Sequence, residues 1–360
     1  MEEYMKRALK LAEKGWGYTN PNPLVGAVIV KNGKIIGEGY HEYFRGPHAE
    51  VNALKNAVED VKGSTMFVTL EPCSHYGKTP PCVEEIIKSG IKRVYIAMED
   101  PNPKVSGNGI KRLKEAGIEV HVGMMEKEAR KLNEIFVKYI TTKFPFVILK
   151  SAMSIDGKIA CYNGNSKWIT NEKSRKFAHK IRGRVSAIMV GVNTVIKDNP
   201  MLTTRLEGYK SPVRIIVDSR GRTPLASNVI RDKAAKTIIA TTELMPNSVR
   251  KKLEDMDIEV IILKNDNGKV PLKELMIKLG ERGIDSVLIE GGGTLNWSAL
   301  KEGIVDKVMF FISPRIVGGE NALTPVEGIG FSNIENSIEL KNIEIDRIDD
   351  DILITAYVRK

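Results

Sequence analysis

His48, Cys73 and Cys82 are the residues of this sequence best suited to hold a metal ion, and Glu50, two positions after the histidine, is a carboxylate placed to move protons beside it. One imidazole and two thiolates suit zinc, which in catalytic sites takes three protein ligands and leaves the fourth position for water. The sequence offers no obvious fourth donor, so that position is where chemistry would occur. Zinc turns such a water into hydroxide near neutral pH, and a carboxylate that is not itself a ligand can relay protons to a substrate and its leaving group. The combination implies a hydrolytic reaction.

In the zinc deaminases the glutamate follows the histidine as it does in Pro47-His48-Ala49-Glu50, and the set closes with Pro-Cys-x-x-Cys. Here the residues from Ser74 to Pro81 separate the two cysteines. Ligation is still feasible. A strand expected over 65–70 delivers Cys73 at its end, while Pro80-Pro81-Cys82 reads as the start of a helix reaching about Ser89, where a helix N-terminus favours thiolate. Three alternatives stand beside a catalytic zinc: a Cys73–Cys82 disulfide, an inert structural zinc closed by His75, and Glu50 as a merely solvated helix residue. With 3 cysteines in 360 residues and no secretory leader, a reducing cytoplasm is expected, which weighs against the disulfide.

The elements that must position these groups divide the chain. At 360 residues two domains are expected, and hydrophobic (42%) and charged (28%) contents are those of a globular protein. No apolar run approaches the roughly 20 residues of a membrane span. The first part reads as helix 1–15, a hairpin of 25–30 and 34–40 turning at Asn32-Gly33, helix 48–60, strand 65–70, helix 82–89, strand 93–98, helix 109–116 and strand 118–122. Strands alternating with helices make an α/β layered domain. A polar, proline-marked stretch over 141–145 places the boundary, giving domains 1–144 and 145–360.

Strands in the second part are expected over 146–151, 187–190, 213–218, 237–240, 259–263, 286–289, 307–312 and 352–358. The most informative junction is Glu290-Gly291-Gly292-Gly293-Thr294, where a buried-type strand meets glycines and then a helix through Leu300. Such a turn lets backbone N–H groups approach a phosphate, although glycines also serve strand-to-helix geometry alone. It lacks the G-x-G-x-x-G spacing of a dinucleotide fingerprint. Three loops, around Asp156-Gly157-Lys158, Ser166 to Thr170 and Asn193 to Arg205, ask for a role, but each has a plain reading as turn, core tryptophan or helix stop.

Taken together, Asn22-Pro23-x-Val25-Gly26, His48-Ala49-Glu50, the long segment from Glu71-Pro72-Cys73 through Thr79-Pro80-Pro81-Cys82, Asp100-Pro101-Asn102-Pro103, Asp156-Gly157-Lys158, Trp168-Ile169-Thr170 and Glu290-Gly291-Gly292 resemble the bifunctional riboflavin-biosynthesis deaminase/reductases, in family order along essentially the whole chain. The resemblance implies a cytidine-deaminase-like three-layer domain followed by a dihydrofolate-reductase-like α/β domain. It implies one Zn2+ on His48, Cys73 and Cys82, Glu50 as proton shuttle, and Asn22, His75 and Lys78 as substrate contacts. In the second domain it implies NADPH at Ala152, Trp168, Thr194, Asp198, Ser219 and the turn Gly292, Gly293, Thr294, Leu295, Asn296, Trp297 and Ser298. The phosphorylated pyrimidine substrate would meet Ser166, Arg182, Leu202, Arg205 and Glu290, with Arg182 and Arg205 forking onto its 5′-phosphate.

The net charge of +10 admits a nucleic-acid partner, but Lys and Arg are scattered and aromatics are only 6% of the chain, without the interleaved stacking platforms of a single-strand binder. A phosphorylated small molecule explains the charge as well. The expected partners are therefore a small substrate, neither nucleic acid nor membrane, and further copies of the chain joined through the reductase domain in the cytoplasm. An RNA-editing deaminase and a one-activity protein with a relic second domain are the rival readings.

Overall fold

The computed structural model describes residues 1–75, 80–102 and 105–359. Two compact units, Met1–Lys143 and Phe144–Lys360, follow one another along the chain. Each has its own apolar core.

The first unit runs α1 (Glu2–Ala12), β1 (Gly26–Lys31), β2 (Lys34–Tyr40), α2 (Ala49–Lys55), β3 (Thr65–Val68), α3 (Cys82–Lys88), β4 (Arg93–Ile96), α4 (Asn108–Glu115), β5 (Glu119–Val122), α5 (Glu126–Leu132) and α6 (Glu134–Thr142). Among the described residues its strands form one sheet in the order β2-β1-β3-β4-β5, with β1 antiparallel to both neighbours and the remaining pairs parallel. Two glycines show how the layers are set. A Cβ on Gly26 would lie 2.0 Å from the Ala8 carbonyl oxygen in α1, and one on Gly39, opposite Ala27 in the ladder, 2.3 Å from the Ala53 nitrogen in α2. Neighbouring positions of a strand face opposite sides, so α1 and α2 cover opposite faces and the unit has three layers. The helix expected over 48–60 stops at Lys55, because the chain turns back onto the hairpin: Asn56 Nδ2 donates to Glu38 O at 3.0 Å and Val58 N to Ile36 O at 2.8 Å. At the other end, α6 continues into the stretch read as linker and closes at Lys143 in the left-handed region.

The second unit runs β6 (Phe146–Ser154), α7 (Glu172–Arg182), β7 (Ala187–Gly191), α8 (Val192–Asp198), β8 (Val213–Val217), α9 (Asn228–Arg231), β9 (Thr237–Thr242), α10 (Asn247–Asp255), β10 (Glu259–Leu263), α11 (Leu272–Glu281), β11 (Ser286–Ile289), α12 (Gly293–Lys301), β12 (Lys307–Ser313), β13 (Leu340–Ile348) and β14 (Asp351–Val358). The strand order is β10-β9-β8-β7-β11-β6-β12-β14-β13, parallel except where β14 meets β12 and β13. After moving outward from β7 to β10, the chain returns to insert β11 between β6 and β7. In open α/β sheets, ligands bind beyond the carboxyl ends of strands at such a reversal. β13 is absent from the sequence reading. Its Ile343 and Ile345 alternate with charged residues but are 60% and 68% exposed, so no buried stripe marks it as a strand.

Candidate active sites

His48 stands at the N-cap of α2, Cys73 follows β3, and Cys82 opens α3. Three elements of the first unit thus converge on one point. The Nδ1 of His48 lies 3.2 Å from Cys82 Sγ and 3.5 Å from Cys73 Sγ, and all donor atoms fall within 4.8 Å of one another. Among the described residues no fourth His, Cys, Asp or Glu joins the group. His75 is exposed, which counts against an inert, closed zinc site, and the cysteines are unpaired. The donor set suits zinc with one position left for water. The backbone N–H of Cys82 donates to Cys73 Sγ at 3.3 Å. The hydrogen bond from Cys82, with help from His48, draws the Cys73 thiol down towards thiolate despite its burial. The same bond, together with burial, pushes Cys82 up.

Glu50, in the first turn of α2, is 3% exposed. It is not a solvated helix residue. Burial raises its carboxyl above the ordinary range, against the opposing pull of the His48 charge, and a carboxyl so poised can give a proton as well as take one.

Asn22 donates through Nδ2 to His41 Nε2 at 3.2 Å, and the other ring nitrogen of His41 lies 3.0 Å from the Pro47 carbonyl oxygen. His41, whose ring meets that of His48 edge-on at 5.5 Å, is a residue the sequence reading missed; nothing but its place before Pro47-His48 could have marked it. Lys78 lies outside the described residues.

In the second unit the carboxyl ends of β7, β8 and β11 open onto a cleft of about 670 Å3, a size suited to a cofactor or substrate. Of the residues expected there, Ser166, Thr194, Asp198, Ser219, Glu290, Gly292, Gly293, Thr294, Leu295 and Ser298 line it. A Cβ on Gly292 would meet nothing within 4 Å, whereas one on Gly293 would lie 2.4 Å from Glu327 Cγ. The first glycine leaves the turn open to the cleft, and the second lets the 324–327 segment pack on α12.

The other residues expected in the second unit are not among those lining the cleft. Asn296 is fully buried and its Nδ2 donates to Pro325 O at 2.7 Å, and Trp297 packs under Gly328 and Phe331. Both therefore sit on the inner side of α12, away from the cleft wall. Ala152 lies within β6 and likewise is not among the lining residues. Trp168 is 62% exposed with the Arg175 guanidinium 4.7 Å from its ring centre, so it is not a core residue. Leu202 and Arg205 both hold left-handed backbone (φ 54 each), Leu202 buried and Arg205 exposed.

Arg182 is already engaged within the protein. Its Nε and Nη2 donate to the two Glu290 oxygens at 2.9 and 2.8 Å, and its Nη1 donates to Thr203 O at 3.1 Å. The fork read as a phosphate clamp is engaged by a carboxylate. Lys150, from β6, sits 3.9 Å from the same carboxylate with its ammonium over the Phe311 ring. Burial alone would raise the Glu290 carboxyl, but Arg182 and Lys150 hold it at about 2, while burial pulls Lys150 down against the attraction of Glu290. Within a strand, a lysine between Leu149 and Ser151 carries no signal of such a partner, which is why the sequence reading passed over Lys150.

With this geometry in place, comparison with known proteins is decisive. The cytidine and deoxycytidylate deaminase zinc-binding region matches residues 1–98, and the RibD C-terminal domain matches residues 145–354. The riboflavin biosynthesis protein RibD of Actinobacillus pleuropneumoniae is 48% identical over 99% of this chain and 95% of its own. The chain belongs to the RibD family. RibD of Aquifex aeolicus is also 48% identical, over 98% and 97% of the two chains. Among solved structures, a diaminohydroxyphosphoribosylaminopyrimidine deaminase/5-amino-6-(5-phosphoribosylamino)uracil reductase from Thermotoga maritima matches with a TM-score of 0.87 at 43% identity, covering 99% of this chain and 98% of that one. RibD of Acinetobacter baumannii matches at 0.88 and 37%, covering 100% and 99%. This RibD-family chain is therefore a bifunctional enzyme of riboflavin biosynthesis, with a cytidine-deaminase-like hydrolase unit of the zinc-binding type and a dihydrofolate-reductase-like reductase unit.

Proposed function

We propose that residues 1–144 deaminate 2,5-diamino-6-ribosylamino-4(3H)-pyrimidinone 5′-phosphate, and that residues 145–360 reduce the ribosyl group of the product, 5-amino-6-(5-phosphoribosylamino)uracil, to ribityl with NADPH. The observation that carries the reading is the convergence of His48, Cys73 and Cys82 within 4.8 Å beside a buried Glu50. Zinc, when bound, supplies the Lewis acidity that activates water at neutral pH. Glu50 takes the proton of that water and returns protons to the ring and to the amine that leaves as ammonia. Asn22, held by His41, His75 and Lys78 are the proposed substrate contacts.

In the reductase unit, NADPH supplies the hydride. The open turn at Gly292, Thr194 and Asp198 on α8, and Ser219 after β8 offer it a cradle. The buried Lys150–Glu290–Arg182 group gives a fixed carboxylate on the cleft wall for the substrate's donors. With Arg182 engaged there, Arg205 is the better candidate for the 5′-phosphate. Ala152, Trp168, Asn296 and Trp297 are the further proposed cofactor positions, and Leu202 a further proposed substrate position.

NADPH absorbance tests the whole. Supplied deaminated substrate should drive NADPH consumption with or without zinc, and the diamino substrate only with zinc. Deamination of RNA, with no NADPH consumed in either case, would favour the editing rival.

Cofactor choice is testable at the loop after β8. Asp218 closes this turn by accepting from both Thr223 N and Oγ1 at 2.7 Å, and Ser219, Arg220 and Arg222 face the cleft, with Arg222 Nη2 on Asn193 Oδ1 at 3.0 Å. A charge-assisted contact to the 2′-phosphate contributes about 1.5 kcal/mol or more, at least roughly tenfold in affinity. Ser219→Ala combined with Arg220→Ala is expected to weaken NADPH by at least about that factor and to leave NADH nearly unchanged in cofactor titrations. Equal weakening of both cofactors would reject the loop.

We further propose a cytoplasmic homo-oligomer built through the reductase unit, with a small-molecule substrate and neither nucleic acid nor membrane as partner. The exposed isoleucines of β13 support self-association. Among the described residues no helix is long and apolar enough to cross a membrane.

A further inference from the structure

In a Cys-x-x-Cys pair the short connection itself holds the two sulfurs at ligand distance. Here eight residues, 74–81, intervene, a sequence separation that does not by itself fix the distance between the two sulfurs. Something else must set the spacing. α4 touches the chain on both sides of the metal group. The Glu71 carboxylate, 3% exposed, accepts four backbone N–H groups at and before the start of α4: Gly109 at 2.9 Å and Ile110 at 3.3 Å on Oε1, Gly107 at 3.0 Å and Asp100 at 3.1 Å on Oε2. Gly109 packs so closely that a Cβ there would lie 2.1 Å from Pro72 O. One turn on, Arg112 donates through Nη1 to Ser74 O at 3.0 Å and through Nη2 to Glu84 Oε1 at 3.1 Å. Glu71 and Ser74 bracket Cys73, and Glu84 lies two residues beyond Cys82.

We propose that α4 is the brace that sets the Cys73–Cys82 spacing, with Arg112 as the positioning residue joining the two cysteine segments; this rests on the reading that His48, Cys73 and Cys82 hold zinc. The direct bonds between the segments, Cys82 N to Cys73 Sγ and Val83 N to Cys73 O at 3.2 Å, both come from the first turn of α3. They keep their geometry only while α3 stays in place. Arg112 and Glu84 are 40% and 19% exposed, a part-buried pair that still reaches solvent and so contributes at most modestly to folding by itself. Its effect should therefore appear in metal affinity rather than in stability.

The test uses full-length Arg112→Ala, with zinc affinity read by competition against a chromophoric chelator and thermal midpoints measured with and without zinc. Residues that orient ligands typically change metal affinity by about 10- to 100-fold, and a loss in that range is expected, together with a smaller zinc-induced rise in midpoint and an unchanged zinc-free midpoint. Arg112→Lys, which keeps the charge but loses the planar fork, should fall between the two proteins. Glu71→Gln, whose amide has one accepting oxygen, should weaken zinc in the same direction. Unchanged affinity in Arg112→Ala, or equal drops of the zinc-free and zinc-loaded midpoints, overturns the brace while the zinc site stands. Failure of the unsubstituted protein to bind zinc overturns both.

Discussion

Cys82→Ser is expected to lose the bound zinc and the deaminase activity together while the reductase continues to work. Cys82 is 1% exposed, opens α3, and has its sulfur 3.2 Å from His48 Nδ1. A thiolate is a soft, deprotonated donor, and a serine hydroxyl at the same position is neither. Two remaining ligands do not make the three that catalytic zinc takes. The site would also acquire a small gap where the larger sulfur packed, but the main loss is coordination. Because the second unit has its own core, reduction of supplied deaminated substrate should persist. Metal analysis of the purified variant decides. About one zinc per chain in the unsubstituted protein and none in the variant is the expected pair of results, and full occupancy in the variant would remove Cys82 from the ligand set.

Why the metal group could be read from sequence, and the reductase cleft only in part, has a physical cause. Zinc ligation depends on residue types that have few other uses in a cysteine-poor chain, so His48, Cys73 and Cys82 could be named before their distances were known. Glu50 could be named with them from its place two residues after His48, while its burial shows only in the fold. The cleft of the second unit instead depends on β11 slotting between β6 and β7, a non-local pairing that no local pattern announces. Lys150 and Glu290 are 140 residues apart in sequence and meet through that insertion. Glycines at the β11–α12 turn were legible as a turn, yet only the packing of Gly293 on Glu327 and the open face of Gly292 tell their separate tasks apart. The edge strand β13 escaped notice for the opposite reason: it is exposed along its length, so its alternation mimics an ordinary polar segment.

Glu50→Gln should separate the two activities most sharply. The amide keeps the volume of the carboxyl and leaves His48, Cys73 and Cys82 untouched, so zinc should remain at its normal content. The fold should also tolerate the change, since a neutral group replaces an ionisable one at a position only 3% exposed. What is lost is the ability to accept the proton of water and pass protons to the ring and the leaving amine. General acid–base catalysis of this kind contributes about 10²- to 10⁴-fold, and the deamination rate should drop by that factor with zinc in place. Reduction of supplied deaminated substrate should be unaffected, because Glu50 belongs to the first unit and the cleft that holds Glu290 to the second. Running both assays on the same preparation, with metal content measured alongside, distinguishes the outcomes. A deaminase that kept its rate would show that Glu50 is not the proton shuttle, and a parallel fall in both activities with zinc retained and the fold intact would show that the reactions do not occupy two separate sites.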